Sequence, residues 1–256
     1  MQCKTPTHPQ LLDWLAVDVA ENGWSLKRLH RQIVSSATYR QSSAIDSESL
    51  RRDPHNELLG RATRFRMPGE VVRDSMLAGS GLLSTKMYGR GVFPPQPATV
   101  TALAYGDFKW KPSTGEDRYR RSIYTFAKRT AGFAAYGVFD GPSGETCTAR
   151  RGRSNTPLQA LTLLNDEMFL EMARFVAKDK SRDDIQAVFR RILTRPPTQD
   201  ELESLRGFHD AQLARLNSDE LNASEVLNEK KGSSEHAAMT FVARVIMNLD
   251  EAITRQ

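Results

Sequence analysis

Residues 139–166, FDGPSGETCTARRGRSNTPLQALTLLND, decide how the rest of the chain is read. Gly141-Pro142 makes a turn, Cys147 follows, and Arg150, Arg151 and Arg153 fall within four positions. Thr156-Pro157 then starts a helix abruptly, since proline at a first helical position gives up an N–H that has no intrahelical acceptor. Helical scaffold and one long loop precede this stretch, and helices follow it. The arginine-bearing turn is expected to be held by the helix behind it and to form the centre of the fold.

Upstream, Pro9 to Asn22 reads as a helix that Gly23 stops, with Leu11, Leu12, Trp14, Leu15, Val17 and Val19 as its apolar face. Ser25 caps a second helix through about Tyr39, in which Leu26, Leu29, Ile33, Val34 and Ala37 recur at helical spacing. The short break predicts an antiparallel or L-shaped pair, with Trp14, Trp24 and Tyr39 in its core. Gln41 to Asp53 is a polar loop, Asp53-Pro54 opens a short helix through Leu59, and Pro68 opens another that ends near Gly79 or Gly81. Leu83 to Gly115 holds four prolines and four glycines and keeps no period. Loops of that length are often functional or lids. Tyr119 to Thr130, YRRSIYTFAKRT, has the β-propensity of a strand and needs a partner, which the proline-rich loop can supply. Ala131 to Val138 fits a short helix.

Downstream, the helix from Thr156-Pro157 runs to Leu164, and Asn165-Asp166 restarts a second one through Lys178. Ser181 to Asp184 and Thr198 to Glu201 have the pattern of capping boxes, opening helices over about 182–193 and 199–216. Leu221 to Ser234 is polar and reads as mobile. A last amphipathic helix spans Glu235 to Leu249. The fold class is therefore mainly α: an irregular helical domain with a minor β element and a long Gly/Pro-rich loop. It is read as a single domain over 1–256, with a possible division into a core (1–180) and a helical tail (181–256).

The 256 residues suffice for a real core, and 39% are hydrophobic. No apolar run approaches the ~20 residues that a membrane-spanning helix needs. The N-terminus has no signal-peptide core. Net charge is +5, from 36 basic and 31 acidic residues. That excess is mild and, without concentration on one face, does not argue for nucleic acid. Cys3 and Cys147 make neither a disulfide framework nor a C-x-x-C or C-x-x-C-H site, and no metal-ligand spacing, phosphate loop or serine-nucleophile elbow occurs.

Several residues carry possible chemistry. Arg150, Arg151 and Arg153 can make bidentate contacts to sulfate, phosphate or carboxylate. They stand just before a helix start whose free N–H groups, near Thr156 and Gln159, also favour an anion. The alternative is that they pair with Asp140, Glu145 and Asp166 and pin the loop. Cys147 can be a nucleophile if the arginines lower its pKa and a histidine folds onto it. Otherwise it is a small buried residue. Asp140 and Glu145 can form a glycosidase couple, which needs two carboxyls roughly 5–10 Å apart, although acidic pairs of this kind are common. Trp110, with Tyr105, can stack on a sugar from the long loop or simply anchor that loop.

Five blocks in order resemble the planctomycete-associated family PSD1, or DUF1553: HPQLLDWLAVDVAENGWSLKRLHRQIVSSATYRQSS, FRMPGEVVRDSMLAGSGLL, YRRSIYTFAKRT, FDGPSGETCTARRGRSNTPLQALTLLND and MNLDEAITR. The resemblance covers nearly the whole chain. It implies the C-terminal portion of a secreted multidomain protein, incomplete at the start of this domain. The upstream partners it implies are a DUF1549 domain and often a cytochrome-c-like domain, which alone would carry haem. No cofactor is expected in this chain, and the implied location is periplasmic or extracellular. Genomic company with sulfatases implies work on anionic polysaccharide. The first functional reading is a scaffolding or ligand-binding module in polysaccharide processing. The second is a hydrolase-like enzyme on sulfated polysaccharide, and the third, for which only net charge speaks, is a nucleic-acid binder.

Overall fold

The computed structural model describes residues 5–97, 99–100, 109–128 and 132–255. The fold is mainly α, with one two-stranded pairing of β1 (Phe65–Arg66) and β2 (Thr254–Arg255) among the described residues. The chain divides into two compact units, residues 1–65 with 255–256, and residues 66–254. The boundary lies near Phe65, and residues on both sides of position 180 fall in the second unit.

The first unit contains α1 (Pro9–Glu21), α2 (Leu26–Ser35) and α3 (Ser47–Arg52). Pro9 opens α1 as expected, and Ser25 caps α2 by accepting from the Arg28 N–H. The Arg28–Asp18 ion pair ties the two helices together. Asp46 caps α3 through the Ser49 N–H and hydroxyl, so the helix falls inside the expected loop, and residues 53–59 are turns instead. Asp53 spends its carboxylate on the N–H groups of Glu57 and Leu58, which closes a turn where a helix cap was expected. No residue of α1, α2 or α3 is buried. Trp14, Trp24 and Tyr39 are exposed, which corrects their assignment to a core. Three short helices cannot enclose a large aromatic on every side, and amphipathic spacing alone does not supply the second surface.

The second unit is built around α11 (Ser234–Met247), which packs on α7 (Glu167–Ala177), α8 (Ile185–Leu193) and α9 (Gln199–Asn217). Ala237, Ala238, Met239, Val242, Ala243 and Ile246 are wholly inaccessible. An apolar stripe was expected on one face, yet these residues point to several. The three alanines let neighbouring helices approach closely, and a helix apolar on most sides is a buried one. Around it lie α4 (Gly69–Ser80), α5 (Ala134–Val138), α6 (Pro157–Asn165), α10 (Ala223–Leu227) and α12 (Asp250–Ile253). Both capping boxes form as expected. Asn222 caps α10, and Leu227 joins Leu216, Ala237 and Ala238 in a small second core, so the segment expected to be mobile is packed.

Residues 119–128 do not form the expected strand. A 3-10 turn, Gly115–Tyr119, ends where the strand was expected to start, a second covers Ser122–Tyr124, and isolated parallel bridges Ser84–Arg120 and Val92–Thr125 reach into the proline-rich loop. The cause is α4. Arg73, 1% exposed, donates to the carbonyls of Arg120 at 2.8 Å and Arg118 at 3.2 Å. Asp74 accepts from the Ser122 N–H at 2.8 Å and hydroxyl at 2.7 Å. These side chains take backbone groups that a ladder would use. Burial lowers the pKa of Arg73, and Asp74 partly offsets this.

The proline-rich loop is held in turn by Arg120, 2% exposed, which donates to the carbonyls of Arg90 and Tyr88 and lies over the Tyr124 ring. In its described parts the loop is buried at Ser84, Val92, 94–96 and Trp110, and exposed over 85–91.

Candidate functional site

The arginine loop joins α5 to α6, and its neck is closed by side chains. Asp140, at φ +58°, accepts from the Ser154 N–H at 2.6 Å and from the Ser154 hydroxyl at 2.9 Å. Asp tolerates this left-handed backbone better than most residues. Gly141 then donates to the Tyr136 carbonyl at 2.7 Å. A Cβ at Gly141 would lie 2.6 Å from that oxygen, so only glycine fits. Gln159, 1% exposed on α6, reaches back with its amide to the Val138 carbonyl at 3.1 Å and to Ser154. The following helix therefore holds the neck of the turn, but the turn is not the centre of the fold, since residues 142–153 are exposed and the core is built around α11. Asp166 caps α7 through the Met168 N–H, and burial raises its carboxyl pKa.

Beyond the neck the loop is exposed at Gly144 through Arg153. Three cavities surround it. One of 250 Å³ is lined by Arg66, Arg150, Arg151 and Arg153 with Phe139 and Asp140. A second, of 620 Å³, runs from Glu70 and Asp74 past Ile123 to Tyr136 and Pro142. A third, of 600 Å³, lies between Phe126, Lys128 and Phe133 and the loop residues Pro142 to Glu145. The last two share Thr125, Ala127, Tyr136, Gly141 and Pro142 in their walls. Pro68 and Arg151 border both the second cavity and the arginine cavity. Tyr136, whose hydroxyl bonds Thr125 at 2.9 Å, has its pKa raised by burial.

The structure brings Arg150, Arg151 and Arg153 to one cavity. Arg151 pairs with Glu70 at 2.9 Å, a partner 81 residues away that sequence reasoning did not consider beside Asp140, Glu145 and Asp166. Arg66 is the deepest member, its side chain 10% exposed. One of its nitrogens meets Asp250 at 3.2 Å, and Nη1 is buried without a hydrogen-bond partner. Arg66 and Glu70 flank Pro68, and only the fold places them beside a loop that follows 80 residues later.

The other candidates separate. Asp140 is engaged with Ser154, and Glu145 lines the third cavity. Cys147 is exposed and free rather than buried, and none of the hydrogen bonds formed by His8, His209 or His236 involves it. Thr156 is the N-cap of α6 without a side-chain cap bond. Trp110 is 5% exposed, donates from its ring nitrogen to the Pro94 carbonyl at 2.8 Å, and stacks near Phe133. It anchors the loop. Tyr105 lies outside the described residues. Among the described residues no group of three or more potential ligands converges as a metal site, and no helix is long and apolar enough to cross a membrane.

Residues 1–209 match the family model PSD1, described as a protein of unknown function (DUF1553). The matched residues end within α9, before α11 begins. No curated protein and no solved structure matches the chain.

Proposed function

The chain belongs to the PSD1 (DUF1553) family of unknown function, and from that premise we propose that it is a ligand-binding module that holds an anionic polysaccharide. One observation carries the reading: four arginines line a small cavity that shares Pro68 and Arg151 with a groove walled by Ile123 and Tyr136. Guanidinium forks suit sulfate and carboxylate, and aromatic faces with backbone polar groups suit a sugar chain. The fixed neck of the loop keeps the arginines in place before a ligand arrives, which lowers the ordering cost of binding. In this reading the chain serves an exported multidomain protein, and the upstream DUF1549 and cytochrome-like domains are its partners. Hydrolysis has less support, because Asp140 is engaged with Ser154.

The test is titration of the full chain with a dextran sulfate oligosaccharide, uncharged dextran and a single-stranded oligonucleotide. Dextran sulfate should bind, and Arg150→Ala/Arg153→Ala should weaken it about ten-fold or more, since hydrogen bonds to charged groups contribute roughly 1.5–3 kcal/mol each. Unchanged binding by a variant that melts like the wild type would overturn the proposal. So would equal affinity for the oligonucleotide with a steep salt dependence, the signature of plain counterion release.

A further inference from the structure

The first unit presents an exposed apolar stripe with charge of one sign beside it. Leu26, His30 and Ile33 stand three or four positions apart on α2 and share one side of the helix, with Val34 next to them. Leu26 is 62% exposed, and Ile33 and Val34 are exposed with it. Leu29 and Gln32 make the half-buried side of α2, so the stripe is not the side that packs within the unit. Trp24 closes the turn before α2 at φ +58° and is 74% exposed. Lys27 and Arg31, four positions apart and exposed, occupy the remaining side. No Asp or Glu occurs over residues 22–45, whereas Lys27, Arg28, Arg31 and Arg40 do. Arg28 is taken by Asp18 of α1. Of the flanking acids, Asp46 is spent on the cap of α3, which leaves Glu21 at the end of α1 against Lys27 and Arg31.

We propose that the Trp24–Val34 face is a docking surface for an anionic lipid bilayer, with α2 lying in the headgroup layer. Leucine and tryptophan on one side of a helix, with Lys and Arg beside them, are the pattern of a helix that lies in the interface plane rather than crossing it. An indole suits that depth, because its ring is apolar and its N–H is polar. Charge decides between the possible occupants. A second copy seated on this face by a two-fold axis brings the two basic sides together, with Glu21 alone to offset them. A nucleic acid covers the basic side and leaves Leu26, Ile33 and Val34 in water. An anionic bilayer covers both, since its headgroups meet Lys27 and Arg31 while its acyl boundary takes the apolar stripe. The surface uses none of the residues assigned to the glycan, and it stands or falls apart from that reading.

The experiment is co-sedimentation of the full chain with vesicles of phosphatidylcholine alone and of phosphatidylcholine with phosphatidylglycerol at roughly 7:3, an anionic surface of ordinary strength. Wild type should bind the anionic vesicles about twenty-fold or more tightly than the neutral ones, because each Lys or Arg near such a surface contributes about five-fold. Lys27→Gln/Arg31→Gln should remove most of that difference. Trp24→Ala should weaken binding about ten-fold, the effect of losing one large apolar side chain from the interface. All three positions are exposed, so the variants should melt like the wild type; if the pair does not, Lys27→Gln alone should still weaken anionic binding about five-fold. Absence of binding to anionic vesicles overturns the proposal. So does vesicle binding that survives both variants but is lost in Arg150→Ala/Arg153→Ala, since the arginine loop then meets the lipid. A dimer in sedimentation equilibrium that Trp24→Ala dissolves, without vesicle binding, assigns the face to a second copy instead. Protection of Trp24 from acrylamide quenching by a single-stranded oligonucleotide and not by vesicles assigns it to nucleic acid.

Discussion

Asp140→Ala is expected to open the arginine loop at its neck. The carboxylate takes two hydrogen bonds from Ser154, at 2.6 and 2.9 Å, in a half-buried position. Charge-assisted bonds of this kind contribute roughly 1.5–3 kcal/mol each, and partial exposure puts the pair near about 3 kcal/mol together. Alanine at φ +58° adds about 1 kcal/mol of backbone strain. The closed loop thus loses about 4 kcal/mol, which is close to three powers of ten in its opening equilibrium. Asp140→Gly loses the same bonds but relieves the strain, so it should open about five-fold less than alanine. Asp140→Asn retains an acceptor and tolerates the left-handed backbone, so it should stay within about ten-fold of wild type. Amide exchange at Ser154 reads this directly, because its N–H is the donor concerned. Dextran sulfate affinity should fall in the same order. An alanine variant whose Ser154 amide exchanges within about three-fold of wild type would show that the neck is held by something other than this carboxylate.

Three further outcomes follow from the same structure. Arg73→Met leaves the Arg118 and Arg120 carbonyls and the Ser122 hydroxyl without their donor, and urea unfolding should show a loss of about 3–5 kcal/mol, as for a broken buried charge contact; a loss under about 1 kcal/mol would refute the role given to it. Gly141→Ala forces a Cβ to 2.6 Å from the Tyr136 carbonyl, so it should cost about 1–3 kcal/mol and lower glycan affinity with it; an unchanged melting temperature contradicts the close approach. Hydrogen bonds from Arg195 and then from the Thr198 N–H bring Glu201 from 4.5 to about 2. A depressed carboxyl stabilises the fold fully above pH 4.5 and loses that contribution as pH falls toward 2. Both partners are about a third exposed, so the effect is about 1 kcal/mol. Glu201→Gln should flatten the acid limb of the stability curve by that amount, and an unaltered limb would exclude Glu201 as its source.

What the sequence disclosed was local. The capping boxes at Ser181 and Thr198, the start of α4 after Pro68 and the restart at Asp166 each depend on residues within four positions, and all were readable. The pinned neck of the arginine loop was legible for the same reason, with Gln159 reaching back only to Ser154 and Val138. The strand at Tyr119–Thr130 was not, because its backbone is captured by Arg73 and Asp74 from 45 or more residues away. Trp14 shows the limit of periodicity, since spacing reveals an apolar face but not whether anything covers it. Trp110 looked like a recognition residue because it sits in a proline-rich loop, yet its ring nitrogen has a carbonyl at 2.8 Å and its ring has aromatic neighbours. Glu70, the partner of Arg151, looked like an ordinary first-turn acid favoured by the helix dipole.

The position of α11 bears on how the chain is made. Its buried residues complete the surfaces of α7, α8 and α9, all of which leave the ribosome earlier. Until residues 234–247 arrive, α7 and α8 have α4 against them but lack the cover of α11, and the nascent chain carries partly exposed apolar faces. Synthesis halted before that helix would leave a product for chaperones or proteases, with the arginine loop already translated but no firm floor beneath it.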